Sequence, residues 1–202
     1  LTYGFDNKSN YKIKNPRYLI NHSKFDLYYK NLDNKRTTIK NIDVKLIGEH
    51  NVLNATAAMA VCLNLGIKVP IIKKALKNFS GVQRRMTKVL TKNKNEFFDD
   101  YAHHPTEISS ILDGINKIYN NRKIISVFEP HRYSRVISLM NEFAKSFIKS
   151  DMVLMCPLYA AGESKKSFFN INKLANQISK YSKTQVVIVR NQNELINFFK
   201  KN

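Results

Sequence analysis

Hydrophobic and polar positions alternate with a period of two over much of the first 46 residues. Tyr18-Leu19-Ile20 and Phe25-Asp26-Leu27-Tyr28-Tyr29 are β-rich, and Thr38, Ile39, Ile42, Val44 and Leu46 mark a strand from Thr37 to Ile47. Residues 51–65 then form an almost continuous apolar, Ala-rich run, which predicts a buried helix ending at Gly66. Pro70 opens a second short helix to about Asn78. Phe79-Ser80-Gly81-Val82-Gln83-Arg84-Arg85 reads as a linker, and the domain boundary is placed between residues 80 and 81.

Beyond the linker the pattern changes. A hairpin pairs Met86–Leu90 with Glu96–Asp100 through a turn at Lys92–Asn95. Pro105, at a favourable first-turn position, opens a helix with Ile108, Ile111, Leu112, Ile115 and Ile118 on one face. There follow a strand at Lys123–Phe128, a helix at Ser134–Ile148 and a strand at Met152–Cys156. A helix carrying Ile171, Leu174, Ala175 and Ile178 comes next, then a strand at Gln185–Val189 and a last helix through Phe199. Strands separated by helices imply right-handed crossovers, so the fold class is α/β, with a mainly parallel sheet and helices on both faces. The carboxyl ends of parallel strands share one edge, where ligands bind. Asp99-Asp100, Glu129–Arg135 and Pro157–Glu163 each follow a strand, so topology alone brings them together.

Those segments are also where the chemistry lies. Four of the five histidines fall in three polar clusters: G-E-H-N-V-L-N-A-T-A-A at 48–58, F-D-D-Y-A-H-H-P-T-E-I at 98–108 and F-E-P-H-R-Y-S-R at 128–135. L-Y-A-A-G-E at 158–163 has the same character without a histidine. Histidine titrates near neutral pH, and such runs set between apolar segments read as one assembled site.

Composition narrows the class. Hydrophobic content of 43% with 12 Phe and 10 Tyr is that of a globular chain. No apolar run approaches the about 20 residues of a membrane span, so no membrane insertion is expected. The start, L-T-Y-G-F-D, has no signal-peptide layout and no initiator Met, which reads as a piece of something longer. Cys62 and Cys156 form no C-x-x-C pair and read as reduced core residues of a cytoplasmic protein. The net charge of +19 raises nucleic acid as a partner. The lysines, however, are spread evenly, and no basic arm or aromatic–basic alternation offers a stacking platform. No specific nucleic acid is expected, and the basic surface suits attraction of anionic small molecules.

Each cluster admits a functional and a structural reading. His50, Asn51 and Asn54 open a buried helix, where Asn amides suit a purine edge and the helix N-terminus favours anions. An Asn cap with a packed histidine is the alternative. Arg84-Arg85 suits phosphate, or is a solvated pair. Asp99-Asp100 could hold a ribose diol or a Mg²⁺-bound water. His103 and His104 could contact a phosphate or an amine, and His131, Arg132 and Arg135 form a cationic group suited to a carboxylate or diphosphate. Zinc on His103, His104 and His131 is disfavoured, because adjacent histidines point apart and no thiol completes the set. None of the six glycines precedes a lysine, so G-x-x-x-x-G-K-[ST] is absent, as is G-x-G-x-x-G.

These motifs resemble the Mur ligases over essentially the whole chain. G-x-H-N-x-x-N-x-x-A-A is shared across that family, whereas D-D-Y-A-H-H-P-T-E-I, P-H-R-Y-S-R and Y-x-A-G-E are similar to its alanine-adding branch. Departures are Met86, where an aromatic is usual, and Glu129, where Gln is common. The resemblance implies the strand-and-helix end of a split central ATP-binding domain (1–80), then a C-terminal Rossmann-like ligase domain (81–202). It implies ATP and Mg²⁺ as cofactors and L-alanine and UDP-N-acetylmuramate as substrates, joined through an acyl phosphate in peptidoglycan precursor synthesis. By position, His50, Asn51 and Asn54 would meet the adenine, Arg85 the ATP phosphates and Asp100 the ribose. His104, His131, Arg132, Arg135 and Tyr159 would face L-alanine and the UDP-sugar, with Arg85, Asp100, His104 and His131 as the catalytic set and no resident metal. It also implies a missing N-terminal portion of the same enzyme carrying the phosphate loop, and no activity for this chain alone. Two rivals are the related ligase that attaches a tripeptide to the same UDP-sugar, and a non-catalytic basic module binding anions or nucleic acid.

Overall fold

The structure, a computed structural model, describes residues 1–20, 22–30 and 35–201. The chain divides into two compact units, Leu1–Tyr101 and Ala102–Asn202.

In the first unit, β1 (Tyr3–Gly4), β2 (Tyr11–Tyr18), β3 (Ser23–Lys30) and β4 (Arg36–Val44) form one sheet in that order. β1 runs parallel to β2, and the other pairings are antiparallel. Strict alternation decides which face is covered: Ser23, Phe25, Leu27 and Tyr29 of β3 all point inward. The strand expected at 18–20 instead ends at Tyr18, and Leu19 and Ile20 are exposed.

Helix α1 (Glu49–Asn64) lays Val52, Ala55, Met59, Ala60 and Leu63 on the same core as Phe25, Leu27, Ile42 and Val44. Burying each large side chain there contributes about 1.5–3 kcal/mol. The helix is not buried all round as expected: Val61 is 56% exposed and Leu65 73%. It ends where Gly66, at φ 76°, donates to the Leu63 carbonyl while Ile67 donates to Cys62, a Schellman stop that needs glycine's left-handed freedom. Helix α2 (Val69–Asn78) adds Ile72 to this core. The hairpin of β5 (Thr87–Lys92) and β6 (Asn95–Asp99) turns through Asn93 and Lys94, both at positive φ, the geometry that matches strand twist. Compactness groups this hairpin with the first unit.

The second unit is an α/β layer. Strands β7 (Ile125–Phe128), β8 (Met152–Met155) and β9 (Gln185–Ile188) are all parallel in that order. Helix α3 (Pro105–Ile118) precedes them, α4 (Tyr133–Ser138) and α5 (Met140–Lys145) connect β7 to β8, α6 (Ile171–Ser182) connects β8 to β9, and α7 (Gln192–Lys201) follows. Ile108 and Leu112 of α3, Val136 of α4, Phe143 of α5 and Leu174 and Ile178 of α6 share a core with Phe128, Val153 and Met155. The helix expected over 134–148 is two helices meeting at Leu139, and Ile148 lies beyond the second. Cover on the sheet's other side is partial: Ile125 and Val127 of β7 are 42% and 47% exposed, and α7 buries no residue fully. Among the described residues no helix is long and apolar enough to cross a membrane.

Candidate functional site

The first unit holds one group of the expected residues. Gly48, at φ 99°, turns the chain into α1, and a Cβ there would lie 3.0 Å from His50 Cε1. His50 is thereby packed over the turn, and its Nδ1 is buried without a hydrogen-bond partner among the described residues. Burial pushes its pKa below the ordinary value; Arg85 adds to the fall and Asp100 opposes it. His50, Arg85 and Asp100 are thus brought within electrostatic reach of one another. Asn51 is buried and its Nδ2 donates to the Ile47 carbonyl at 2.8 Å, which binds the helix start to the strand end. Asn54 is exposed.

Arg85 sits between two residues in the left-handed region, Arg84 at φ 59° and Met86 at φ 48°. Four contacts hold that segment to the end of β6. Tyr101 N donates to the Arg84 carbonyl at 2.8 Å, and Met86 N donates to Asp100 Oδ2 at 2.8 Å. The Arg84 guanidinium pairs with Asp99 at 3.5 Å and lies over the Tyr101 ring. Asp100 is therefore committed in part to the backbone beside Arg85. A cleft of about 290 Å³ has a mixed lining, with Leu46, Ile47 and Phe98 apolar and Lys45, Arg85 and Lys88 cationic.

The second unit assembles the other group at the carboxyl ends of β7 and β8. The loops that follow these strands continue the parallel pairing: His131 bridges Tyr159, Arg132 N donates to the Tyr159 carbonyl at 2.9 Å, and Tyr159 N donates to the Pro130 carbonyl at 2.8 Å. The 128–135 and 158–163 clusters are thus joined at one edge. A second tie fixes them, because the Glu163 carboxylate accepts from the Ser134 amide at 3.0 Å and from the Ser134 hydroxyl. These bonds hold the Glu163 carboxyl below its usual range.

Within this edge His131 Nδ1 stands 3.2 Å from Arg135 Nη1. A guanidinium can only donate, so Nδ1 is the acceptor and the proton of neutral His131 resides on Nε2. Desolvation, then Arg135, His103 and Arg132, push its pKa below the ordinary value. Its ring lies 5.3 Å from that of Tyr159 and 5.6 Å from that of His103. Arg132 (φ 68°) and Tyr159 are exposed. A cleft of about 270 Å³ beside them is walled by Glu129, Cys156, Leu158, Tyr159, Asn191 and Leu195. Desolvation and the Glu129 charge raise the Cys156 thiol pKa.

The adjacent histidines divide their tasks. His104 is the N-cap of α3: its Nδ1 accepts from Thr106 N at 3.3 Å, and Glu107 Oε2 accepts from His104 N at 3.2 Å, completing a capping box. His103, not His104, has its ring beside His131. Sequence reasoning named His103 as a contact for a phosphate or an amine but left it out of the catalytic set, and it passed over Glu107 and Glu163 as site residues. The Glu three residues after His104 was a readable capping signal. Among the described residues no three His, Cys, Asp or Glu side chains gather as a metal cage.

Two arrays of cations at strand and helix ends, each beside a cleft, suit the binding of anionic groups such as phosphate. The family model described as "Mur ligase, glutamate ligase domain" matches residues 84–201. The chain belongs to the Mur ligase family. Among its relatives it is 47% identical to the UDP-N-acetylmuramate–L-alanine ligase of Pelagibacter ubique, over 98% of this chain and 43% of that protein. It is 38% identical to the ligase of the same name from Vesicomyosocius okutanii, over 97% and 42%. The crystal structure of the UDP-N-acetylmuramate–alanine ligase of Thermotoga maritima superposes with a TM-score of 0.75 at 27% identity, over 98% of this chain and 41% of that one. The chain spans about two-fifths of the length of these relatives.

Proposed function

We propose that this chain is the C-terminal portion of a cytoplasmic, ATP-dependent ligase that joins L-alanine to UDP-N-acetylmuramate in peptidoglycan precursor synthesis. The observation that carries the reading is the joined edge of the second unit, where His131, Arg132, Arg135 and Tyr159 converge from two loops. The 47% identity to an alanine-adding relative supports it.

In the reaction the muramyl carboxylate attacks the γ-phosphorus of ATP and ADP leaves. The amine of L-alanine then attacks the acyl carbon, and phosphate departs with one former carboxylate oxygen. Catalysis of this kind is chiefly positioning and charge stabilisation. In the first unit, Arg85 grips the ATP phosphates, Asp100 the ribose, and His50, Asn51 and Asn54 border the adenine. The apolar walls at Leu46, Ile47 and Phe98 suit a base. Mg²⁺, when bound, would be held chiefly by the phosphates of ATP and would neutralise charge there. In the second unit, His131, Arg132 and Arg135 hold carboxylate or diphosphate, Tyr159 flanks them, and His104 fixes the loop as the α3 cap. On this reading the ligase domain begins at residue 81, and an upstream portion of the same enzyme supplies the phosphate loop. The chain alone is then inactive.

The test is phosphate release by this chain combined with that upstream portion, given ATP, Mg²⁺, UDP-N-acetylmuramate and L-alanine. Release that needs both substrates is expected. Release with a tripeptide in place of alanine would move the chain to the recycling ligase, and release from the short chain alone would refute the partition of the site.

A further inference from the structure

We propose that His103, aligned by Glu107, is the base that takes a proton from the incoming amino group, an inference that rests on the ligase reading above. Glu107 Oε2 accepts the backbone N–H groups of His103 at 3.1 Å and His104 at 3.2 Å. The same oxygen stands 3.7 Å from His103 Nδ1. A carboxylate fixed by two amides presents a stationary negative charge to the Nδ1 side of one imidazole. It favours the tautomer with the proton on Nδ1, which leaves Nε2 as the acceptor nitrogen.

The neighbouring ring has the opposite polarity. His131 Nδ1 accepts from Arg135, so its Nε2 carries the proton. Two imidazoles whose centroids are 5.6 Å apart are therefore one acceptor and one donor. His103 retains 27% side-chain exposure, so a substrate can reach it. His104 cannot serve, because its Nδ1 is engaged by Thr106 N in the cap.

The ammonium of L-alanine passes one proton to His103 Nε2 and becomes the neutral amine. The nitrogen lone pair forms the C–N bond at the acyl phosphate, the C–O bond to phosphate breaks, and phosphate leaves with that electron pair and the second proton. The imidazolium then returns its proton to solvent. A site that protects an acyl phosphate must exclude water, so the first proton needs an acceptor within the protein.

Two measurements test this. In the chain itself, ¹⁵N spectra should show His103 protonated on Nδ1 and His131 on Nε2 when neutral; a His103 proton on Nε2 would overturn the proposal. In the complete enzyme, His103→Gln should lower kcat with L-alanine by about 100-fold, with the KM for ATP unchanged. Hydroxylamine is unprotonated at neutral pH and needs no base, so hydroxamate formation by His103→Gln should proceed at the parent rate. Undiminished kcat with alanine in His103→Gln, or equal loss with both nucleophiles, would overturn the role of His103 and leave the ligase reading standing. A parent enzyme that forms neither amide nor hydroxamate would contradict that reading and the proposal together.

Discussion

Replacing His104 by Ala separates the structural from the chemical content of the two histidines. The His104 ring satisfies one of the orphan N–H groups of α3, that of Thr106, at 3.3 Å. Losing an N-cap costs about 0.5–2 kcal/mol. The bond here is long and Thr106 is exposed, so the expected loss is near the lower end, about 0.5–1 kcal/mol. Glu107 retains its half of the capping box, and Pro105 keeps the first helical position preset. In a unit of this size each kcal/mol moves Tm by roughly 4–8 °C, so Ala should lower the melting of the second unit by about 2–8 °C. His104→Asn should restore most of it, since Asn is among the best N-caps. The assay is thermal melting by circular dichroism, with amide exchange at Thr106 as the local readout. An Ala variant with unchanged Tm and unchanged exchange at Thr106, or an Asn variant no better than Ala, would refute the cap assignment.

Arg132→Ala and Arg135→Ala in the complete enzyme should each raise the KM for L-alanine or the UDP-sugar, at a cost of roughly 1.5–3 kcal/mol, with ATP affinity nearly intact. Steady-state kinetics with each substrate varied would show a dominant ATP effect if the cluster is misassigned. His50 is held below its ordinary pKa of 6.5 by burial, so the unfolded chain binds more protons near that pH. Its stabilising contribution is full above about 6.5 and is lost as pH falls below that value. Denaturant unfolding at about pH 7.5 and about pH 5.5 should therefore show a smaller loss on acidification in His50→Gln than in the parent; an equal loss would contradict the assignment. Gly48→Ala should cost about 1–3 kcal/mol, because φ is 99° and the new Cβ would press on His50. A variant as stable as the parent in denaturant would show that this turn is not strained.

The order of elements was legible because apolar periodicity is local: β3 alternates as its sequence does, and α3 begins at Pro105 where the sequence places it. The meeting of the 128–135 and 158–163 loops was legible too, since parallel strands leave their carboxyl ends at one edge; Asp99-Asp100, expected at that edge, instead ends a strand of a separate antiparallel hairpin, to which the rule does not apply. What escaped was set by geometry beyond single positions. Which of two adjacent histidines caps and which faces His131 depends on where the Glu107 carboxylate sits. Asn51 has a task that its position did not announce, because its Nδ2 donates to the Ile47 carbonyl and ties the helix start to the strand end. The break at Leu139 has no Gly or Pro to announce it, and both halves feed the same core through Val136 and Phe143. The exposed side of α1 was unreadable because Val61 and Leu65 are as apolar as the residues that are buried.

The most direct test of the ligase account follows one oxygen atom. UDP-N-acetylmuramate labelled with ¹⁸O in its carboxylate would be turned over with ATP, Mg²⁺ and L-alanine by this chain together with its upstream portion, and the released phosphate examined by mass spectrometry. The acyl phosphate route carries one carboxylate oxygen into each phosphate, so labelled phosphate is expected in step with amide formation. Unlabelled phosphate accompanying amide, or phosphate released without any amide, would contradict the account.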